Sequence, residues 1–542
     1  MIQIKCQNER FTYDMYHIVK SFFPDAEINQ TVEPEQESLI QIEFDRDSCF
    51  FCRQANLSEC PVDIHLGGSA CLSKGPVDLC LGRQANLRFE VAFSEIEAIE
   101  DKREQKRYIN KKLYKLLSEM TGEEHAWGDM TGVRPTKMIM EKLEEGRSEQ
   151  EIIDFMQDTY VVSEKKARLG IEIARREKAQ LEKLDYQNGY SLYIGIPFCP
   201  TTCSYCSFTS YPVAKWQSRM DEYVDALLKE LSYIAEVSKE KKLNTVYMGG
   251  GTPTTLSAAQ MDRVLTHLER NFSFADLKEF TIEAGRPDSI TKEKLEVIYR
   301  HGVGRISINP QTMQQRTLDV IGRRHTVEDV VNVFHMARQI GFDNINMDLI
   351  AGLPGEHPEE MKDTLRQIRE LSPDSLTVHA LAMKHGSRLT REKIERQKAM
   401  QNESARGADP SLKADEEINN TQMARELEEM IDMAADCAKE MGLAPYYLYR
   451  QKNIAGNFEN VGYAKVDKAG IYNILIMEEK QSIIAAGAGA STKVVLPYEI
   501  DAPGSRNGRK TNMIRIENVK DVGEYISRLD EMIERKGEWL WR

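Results

Sequence analysis

Long apolar runs are what this chain of 542 residues most lacks. No stretch approaches the ~20 apolar residues needed to cross a bilayer, and this excludes a helical membrane span. The opening residues Met1-Ile2-Gln3-Ile4-Lys5-Cys6 also lack the apolar segment of a secretory leader. Positive charge is in deficit: the formal net charge is −14, so the field that non-specific nucleic-acid binding requires is absent. Ten cysteines in so long a chain do not make a disulfide scaffold; they suggest free thiols and metal ligands. Internal repetition is confined to one short echo, Arg53-Gln54-Ala55-Asn56-Leu57 and Arg83-Gln84-Ala85-Asn86-Leu87, too brief to define a repeat architecture. The expectation is a cytoplasmic protein with neither a membrane nor a nucleic-acid partner.

Apolar residues make up 41% of the chain and charged residues 29%, enough for real cores under a solvated surface, and the length calls for about two or three domains. Residues 1–95 alternate short β-like segments such as Leu39–Phe44 and Leu87–Phe93, giving an N-terminal β-rich α+β domain. Cys49, Cys52, Cys60, Cys71 and Cys80 fall there; Cys49-Phe50-Phe51-Cys52 has metal-ligand spacing, but no second C-x-x-C follows, and its phenylalanines suit a buried strand better. Residues 96–189 form a helical connector, with helical periodicity over 95–120 and again from Glu149 to about Leu184. Between them lies the turn-rich loop Gly128–Thr136, whose Arg134 could hold an anionic group.

From 190 to 386 apolar strands alternate with longer helices. Strands are expected at Leu192–Ile196, Thr245–Met248, Phe280–Ala284, Arg305–Ile308, Ile345–Leu349 and Leu376–Leu381, with helices including Met220–Val237, Ala259–Leu268, Val327–Ile340 and Glu359–Leu371 between them. This repetition builds a parallel sheet, here a partial six-unit β/α barrel. A polar linker or lid follows at 387–417, then a C-terminal α+β region at 418–542. In that region Met423, Leu427, Met430 and Ile431 belong to a packed amphipathic helix, and the aromatics of Tyr446–Arg450 and Asn457–Tyr463 suit equally a buried hairpin or the lining of a flat ring ligand. Strands are expected at Ile474–Met477 and Ile483–Ala486, and a last helix near Val519 to Glu534.

The chemistry gathers where each barrel strand ends, as parallel β/α folds require. The first strand runs into Cys199-Pro200-Thr201-Thr202-Cys203-Ser204-Tyr205-Cys206. Three thiolates in C-x-x-x-C-x-x-C spacing can hold three irons of a [4Fe–4S] cube and leave the fourth open to a small molecule. The second strand ends in Gly249-Gly250-Gly251-Thr252, where missing side chains let backbone approach a ligand. Glu283, Gln311, Asp348 and Ala382 follow the ends of the next four.

These segments, with Arg305–Gln311 and Asn346–Gly355, resemble the oxygen-independent coproporphyrinogen III oxidase group of radical S-adenosylmethionine (SAM) proteins, most closely its HemZ-type coproporphyrinogen dehydrogenases. The resemblance covers Tyr190 to about Leu389 and extends more loosely to Asn453–Tyr463 and Gly487–Ser491. It implies an α/β fold built on the partial (β/α)6 barrel, with a [4Fe–4S] cluster and SAM as cofactors. Cys199, Cys203 and Cys206 are then cluster ligands, and Tyr193, Tyr205, Gly250, Gly251, Thr252, Glu283, Gln311, Arg323, Asp348 and Ala382 surround SAM, with Arg323 also in a catalytic position. The implied reaction is decarboxylation of two propionates of coproporphyrinogen III to vinyls by a 5′-deoxyadenosyl radical, in anaerobic heme biosynthesis. Its partners are the tetrapyrrole substrate and a reduced flavodoxin- or ferredoxin-type electron donor, on a monomeric protein. Arg305, Arg324 and His325 are candidates for the substrate carboxylates. Two positions beyond Cys206 stands Phe208, where the resembled oxidases carry a further cysteine and the related heme chaperones an aromatic residue. The alternatives are therefore a heme-binding chaperone, with His301, His325, His335, His357, His379 and His385 as possible iron ligands, or a radical SAM enzyme acting on another tetrapyrrole.

Overall fold

The computed structural model of the protein describes residues 2–6, 9–23, 26, 28–32, 40–44, 87–91, 95–130, 132, 134–208, 210–382, 387–391, 395, 411–450, 458–503 and 510–541. Cys49, Cys52, Cys60, Cys71, Cys80 and His385 lie outside these residues, as does most of the expected linker 387–417, whose end belongs to the helix Ser411–Glu440. The chain divides into two units: Met1–Ile171 with Asp409–Arg425 and Arg450–Phe458, and Glu172–Ala408 with Glu426–Tyr449 and Glu459–Arg542.

The first unit grows from the alternation in β1 (Ile2–Cys6), which buries Ile2, Ile4 and Cys6 and leaves Gln3 and Lys5 half-buried. β1 pairs parallel with β2 (Ile28–Val32) and antiparallel with β3 (Ile40–Phe44), and β3 pairs antiparallel with β4 (Leu87–Val91). Helix α1 (Glu9–Phe22) adds Phe11, Met15, Ile18 and Phe22 to the core, and α2 (Lys102–Thr121) adds Ile109, Leu113 and Leu117. The α2 helix begins later than its periodicity suggests because Asp101 caps it, accepting from the backbone N–H of Arg103 (2.6 Å) and Glu104 (3.1 Å). Next come α3 (Pro135–Glu144), α4 (Glu149–Tyr160) and α5 (Glu164–Leu181). The helical region expected from Glu149 to about Leu184 consists of two helices, separated where Val161 takes a left-handed φ of 56°.

The second unit carries the barrel. Strands β5 (Gly189–Ile196), β6 (Lys242–Gly250), β7 (Glu279–Gly285), β8 (Arg305–Ile308), β9 (Ile345–Ala351) and β10 (Ser375–Ala380) pair parallel, each with the next in the chain. Helices α6 (Met220–Val237), α7 (Ala258–Asn271), α8 (Lys292–Arg300), α9 (Gln315–Val320), α10 (Val327–Ile340) and α11 (Pro358–Leu371) connect them. This is the α/β fold the alternation implies, with α6 and α10 at their expected bounds. Leu192, Ile194, Val246, Met248, Ile282, Ile306 and Met347 are fully buried on one face. The other face is polar: Thr245 donates to Ser191 (2.7 Å), Thr281 to Glu279 (2.8 Å), Arg305 to Ser375 (3.2 Å) and Thr377 to Asn346 (3.2 Å).

After α12 (Ser411–Glu440), the C-terminal segments extend the same sheet at both edges. On one side β11 (Ala444–Arg450) and β12 (Glu459–Ala464) continue past β10, with β12 antiparallel to it. On the other, β13 (Ser482–Ala486) pairs parallel with β5 and leads to antiparallel β14 (Ser491–Asp501) and β15 (Lys510–Glu517). One expectation fails here: Ile474–Met477 is not a strand but lies in helix α13 (Ile471–Glu478). Four apolar residues carry no period that separates the two. The deciding contact is remote: the buried Glu279 carboxylate accepts from the N–H of Ile471 and, at 3.3 Å, of Tyr472, filling the N-terminus of the helix.

The expected last helix is a pair, α14 (Val522–Ser527) and α15 (Leu529–Gly537), and the pair closes on a buried charge. Lys536 donates to Glu230 of α6 at 2.6 Å, with both side chains fully buried. Glu230 also accepts from Asn518 (2.8 Å), Tyr525 (2.5 Å) and the Gly487 N–H (2.8 Å). Replacing Lys536 with Met leaves that carboxylate without its cation, so Lys536→Met is expected to cost about 3–5 kcal/mol in urea unfolding. A loss below about 1 kcal/mol would mean that the neutral donors hold the charge unaided.

Candidate functional site

The cysteine loop is fixed at its root before any metal chemistry is considered. Phe198 is fully buried against Tyr223 (centroids 5.1 Å apart, near perpendicular) and Trp216 (6.2 Å). The glycine segment after β6 lies on it: Gly251 N–H donates to Ile196 O and Thr252 N–H to Phe198 O, both at 2.7 Å. A Cβ at Gly251 would stand 2.5 Å from Phe198 O and 2.8 Å from Ile196 O, so the close approach admits only glycine. Further along, Ser204 N–H donates to Ile321 O, Leu389 N–H to Ser204 O, and Thr201 Oγ1 to Gly322 O. Four segments distant in sequence therefore set the path of Cys199–Cys206.

On that path Cys203 is buried and Cys199 and Cys206 are half-buried. Burial pushes the Cys199 thiol up to about 11, the Thr252 hydroxyl opposes this, and the Cys206 and Cys203 sulfurs add to it, so the three sulfurs feel one another. Cations stand against them: Arg286 Nη1 is 3.9 Å from Cys203 Sγ, and the Arg323 guanidinium lies beside Cys203 and Tyr205. Among the described residues no three His, Cys, Asp or Glu groups converge closely enough to chelate one ion. A cube takes each thiolate on a different iron, and three thiols without a fourth protein ligand, flanked by guanidiniums, fit such a cluster.

The residues at the other strand ends meet around this loop. Tyr193 is stacked on Tyr247 (6.3 Å, 14°), which stacks on Tyr472 (4.4 Å, 20°). Tyr247 donates to Glu283 Oε1 at 2.5 Å. Burial raises the Glu283 carboxyl to about 7 against that hydrogen bond. Asp348 behaves oppositely: burial pulls it upward, but the His379 ring and the amide of Asn346 (2.7 Å) hold it below its usual value. A Cβ at Gly250 would lie 3.2 Å from the Tyr193 hydroxyl. Gln311 takes a left-handed φ of 71°, pinned by its N–H to Asp348 O and by Ile350 N–H to its own carbonyl, both at 2.9 Å. Arg323 donates to Asn309 O and to Pro310 O (3.5 Å), while its buried Nε has no partner. Ala382 is buried one residue beyond Leu381, whose N–H donates to Ala351 O. Tyr205 packs against Leu318, Ile321, Ile350 and Leu353.

Other candidates separate from this group. Arg305 opens β8, at the end of the strand away from the cysteine loop, and faces Glu279 and Ser375. Arg324 lines a cavity of about 490 Å³ beside the cysteine loop, together with Arg323, Arg388 and Thr202. His325 is buried with neither ring nitrogen bonded, and burial together with Arg323 lowers it to about 4. His301 bridges Asp262 and Glu269, and His357 pairs with Glu426. Phe208 is 68% exposed. Sequence reasoning missed Tyr247, Arg286 and Tyr472, and offered His379 only as a possible heme ligand. Tyr247, Arg286 and His379 follow the strand-end rule and were within its reach, whereas Tyr472 opens the helix whose later residues were read as a strand.

The family profile described as the Radical SAM superfamily matches residues 193–368. The chain is 40% identical over 430 residues, 78% of its length and 79% of the relative's, to the oxygen-independent coproporphyrinogen-III oxidase-like protein HemZ of Bacillus subtilis (strain 168). It is 38% identical over 193 residues to the heme chaperone HemW of the same organism, a match that spans 35% of this chain and 50% of that one. Among solved structures, coproporphyrinogen III oxidase (HemN) from Escherichia coli aligns with 22% identity and a TM-score of 0.47, over 66% of this chain and 73% of that one.

Two outcomes follow from the geometry. Gly251→Ala is expected to displace the cysteine loop at a cost of about 1–3 kcal/mol, read as lost iron and lost visible absorbance after reconstitution; full iron content would contradict the contact. Glu283 holds its proton to about 7 when folded, against 4.5 ordinarily. The folded protein therefore binds more protons than the unfolded chain in that window, and stability falls as pH rises through it. Glu283→Gln removes this loss: the melting temperature of the variant relative to the parent, measured without cofactors, should climb between pH 4.5 and 7 and level off above. A flat difference would mean that the carboxyl is already ionised.

Proposed function

The chain belongs to the radical SAM family of oxygen-independent coproporphyrinogen-III oxidase-like proteins, and from that premise we propose that it decarboxylates two propionates of coproporphyrinogen III to vinyls without oxygen. Its cofactors are a [4Fe–4S] cluster and SAM. When bound, they supply a carbon-centred radical able to take hydrogen from an unactivated carbon. In this reading Cys199, Cys203 and Cys206 hold the cluster. Tyr193, Tyr205, Gly250, Gly251, Thr252, Glu283, Gln311, Arg323, Asp348 and Ala382 enclose SAM. A flavodoxin- or ferredoxin-type donor supplies the electron to a monomeric cytoplasmic enzyme.

The observation that carries the proposal is the meeting of the three thiols with two carboxyls of opposed proton affinity at one end of the barrel. Asp348, kept ionised, accepts hydrogen bonds from ribose hydroxyls; Glu283, raised by burial to about 7 and so present in both forms at neutral pH, donates as well as accepts. The Tyr193–Tyr247–Tyr472 stack closes the barrel beneath them and keeps water from a reactive carbon. Arg323, Arg324 and Arg388 line the cavity beside the cysteine loop and complement a substrate that carries four carboxylates on a protein of net charge −14. A second reading, heme binding without turnover, draws on the likeness to the heme chaperone and on the exposed Phe208 where the oxidases have a cysteine.

Anaerobic reconstitution followed by SAM, a strong reductant and coproporphyrinogen III should give a product lighter by two carbon dioxide units, abolished in Cys203→Ala. SAM cleavage without that mass change would overturn the substrate. Heme binding without any SAM cleavage would favour the chaperone reading.

A further inference from the structure

The first unit holds a site that the radical chemistry does not use. Its centre is formed by Gly128, Asp129, Met130, Gly132 and Arg134, with Gly128 and Asp129 pressed onto the end of α4. Asp129 N–H donates to Tyr160 O at 3.0 Å. Gly128 has φ +55°, and a Cβ there would stand 2.0 Å from Tyr160 O, so no side chain is possible at this approach. From the other side the buried Arg450 donates to Met130 O at 2.7 Å and to Gly132 O at 3.4 Å. The loop is thus held by backbone contacts on two sides, which leaves its side chains to line a cavity of about 410 Å³.

The lining has a definite chemistry. Arg134, Lys137 and Arg107, the last also paired with the exposed Glu104 and bonded to the Tyr160 hydroxyl, bring three cationic side chains to one cavity on a chain whose net charge is −14. The ten-residue α3 starts there, with Pro135 in its first turn and with Arg134 at the N-cap making no side-chain capping bond. A helix start that its own N-cap side chain leaves uncapped is a ready anion site. The second observation is independent of the helix. Asp129 lines the cavity, is only 5% exposed, and its Oδ1 has no hydrogen-bond partner; Asn110 Oδ1, on the same cavity, is also buried and unbonded. Buried polar atoms of this kind are normally satisfied, so these two acceptors call for donors on a ligand. Tyr160 supplies a ring wall, with the Arg107 guanidinium 5.7 Å from its centroid.

The geometry points to a binding site for a small phosphorylated metabolite that carries hydroxyl groups, such as a sugar phosphate: its phosphate sits among Arg107, Arg134, Lys137 and the start of α3, and its hydroxyls donate to Asp129 and Asn110. The cavity is large enough for such a molecule. Burial raises the Asp129 carboxyl to about 7, despite the opposing Lys111 and Arg107 charges. At neutral pH it therefore presents only about half the negative charge of an exposed aspartate to a phosphate. A carboxylate ligand would satisfy the cations, but a dianionic phosphate matches three cations and a helix start more fully.

Calorimetric titration of the full-length protein with ribose 5-phosphate, inorganic phosphate and citrate tests this. Saturable binding of ribose 5-phosphate is expected, weakened about tenfold or more in Arg134→Gln and in Lys137→Gln, because each loses a charge-assisted contact. Asp129→Ala, which removes the acceptor, should retain inorganic phosphate and lose the preference for ribose 5-phosphate over it. Unchanged far-ultraviolet circular dichroism and unchanged iron uptake on reconstitution would show that the variants still fold. Three results would overturn the proposal: no saturable binding of either phosphate probe at millimolar concentration, equal affinity in Arg134→Gln, or citrate binding as tightly as ribose 5-phosphate.

Discussion

A carboxylate buried from water governs how the second unit closes. Glu230 sits on the first helix of the barrel, yet its four partners come from the last sixty residues of the chain: Gly487, Asn518, Tyr525 and Lys536. Desolvating a charge of each sign is expensive, and the attraction between them repays it only with further hydrogen bonds in good geometry. Glu230 has them, and Asn518 Oδ1 accepts from the same lysine at 2.6 Å. The network specifies one docking of the C-terminal helices rather than a range of apolar contacts. It also holds the 487–490 turn beside the end of β5, where the Tyr223 hydroxyl donates to Gly195 O (2.6 Å) and accepts from the Ala488 N–H (3.2 Å). The strand that launches the cysteine loop is thus braced by residues nearly three hundred positions away.

The polar inner face of the barrel follows a related logic. Parallel strands covered on both sides usually read as continuous apolar runs, and only the outer face of β5 to β10 obeys. The inner face trades hydrophobic burial for paired hydroxyls, amides and charges. Thr245 with Ser191, Thr377 with Asn346 and Arg305 with Ser375 are paired between strands, so a shift of register would orphan several groups at once. The strand ends that carry Glu283 and Asp348 are therefore held in fixed relation, which a site for a flexible cofactor requires.

How much of this was legible in the sequence depended on the range of the interaction that decides each element. Helices α6 and α10 could be placed to the residue because their own periodicity decides them; α10 also carries a local signal in its capping box, Thr326 with Asp329. The six strands could be placed because each falls between helices of clear period. Ile471–Glu478 could not, because a carboxylate nearly two hundred residues earlier fills its first turn. The site divides in the same way. Cysteine spacing and strand-end position found the thiols, the glycines and both carboxyls. The opposed proton affinities of Glu283 and Asp348 could not be read, since burial in the assembled barrel raises Glu283, whereas His379 on the next strand and Asn346 across the pleat hold Asp348 down.

Charge around Cys203 completes the argument, because it relates the fold to what the cofactors must do. Three thiolates and an iron–sulfur core concentrate negative charge, and nearby cations and hydrogen bonds set how readily such a core accepts another electron. Arg286 and Arg323 both lie beside Cys203, but they are anchored differently. Arg286 is held by Asp288 through two hydrogen bonds (3.0 and 2.6 Å) and by Thr201 through two more. Arg323 donates to the carbonyls of Asn309 and Pro310 and also bonds toward the Cys203 and Tyr205 side chains. The ion pair with Asp288 offsets part of the Arg286 charge and helps fix the loop at Thr201, yet Arg286 still favours the Cys199 thiolate. Arg323, between the cysteine loop and Asn309, brings a second positive charge to Cys203. Both arginines thus set charge against the thiols, and Arg286 holds the loop as well.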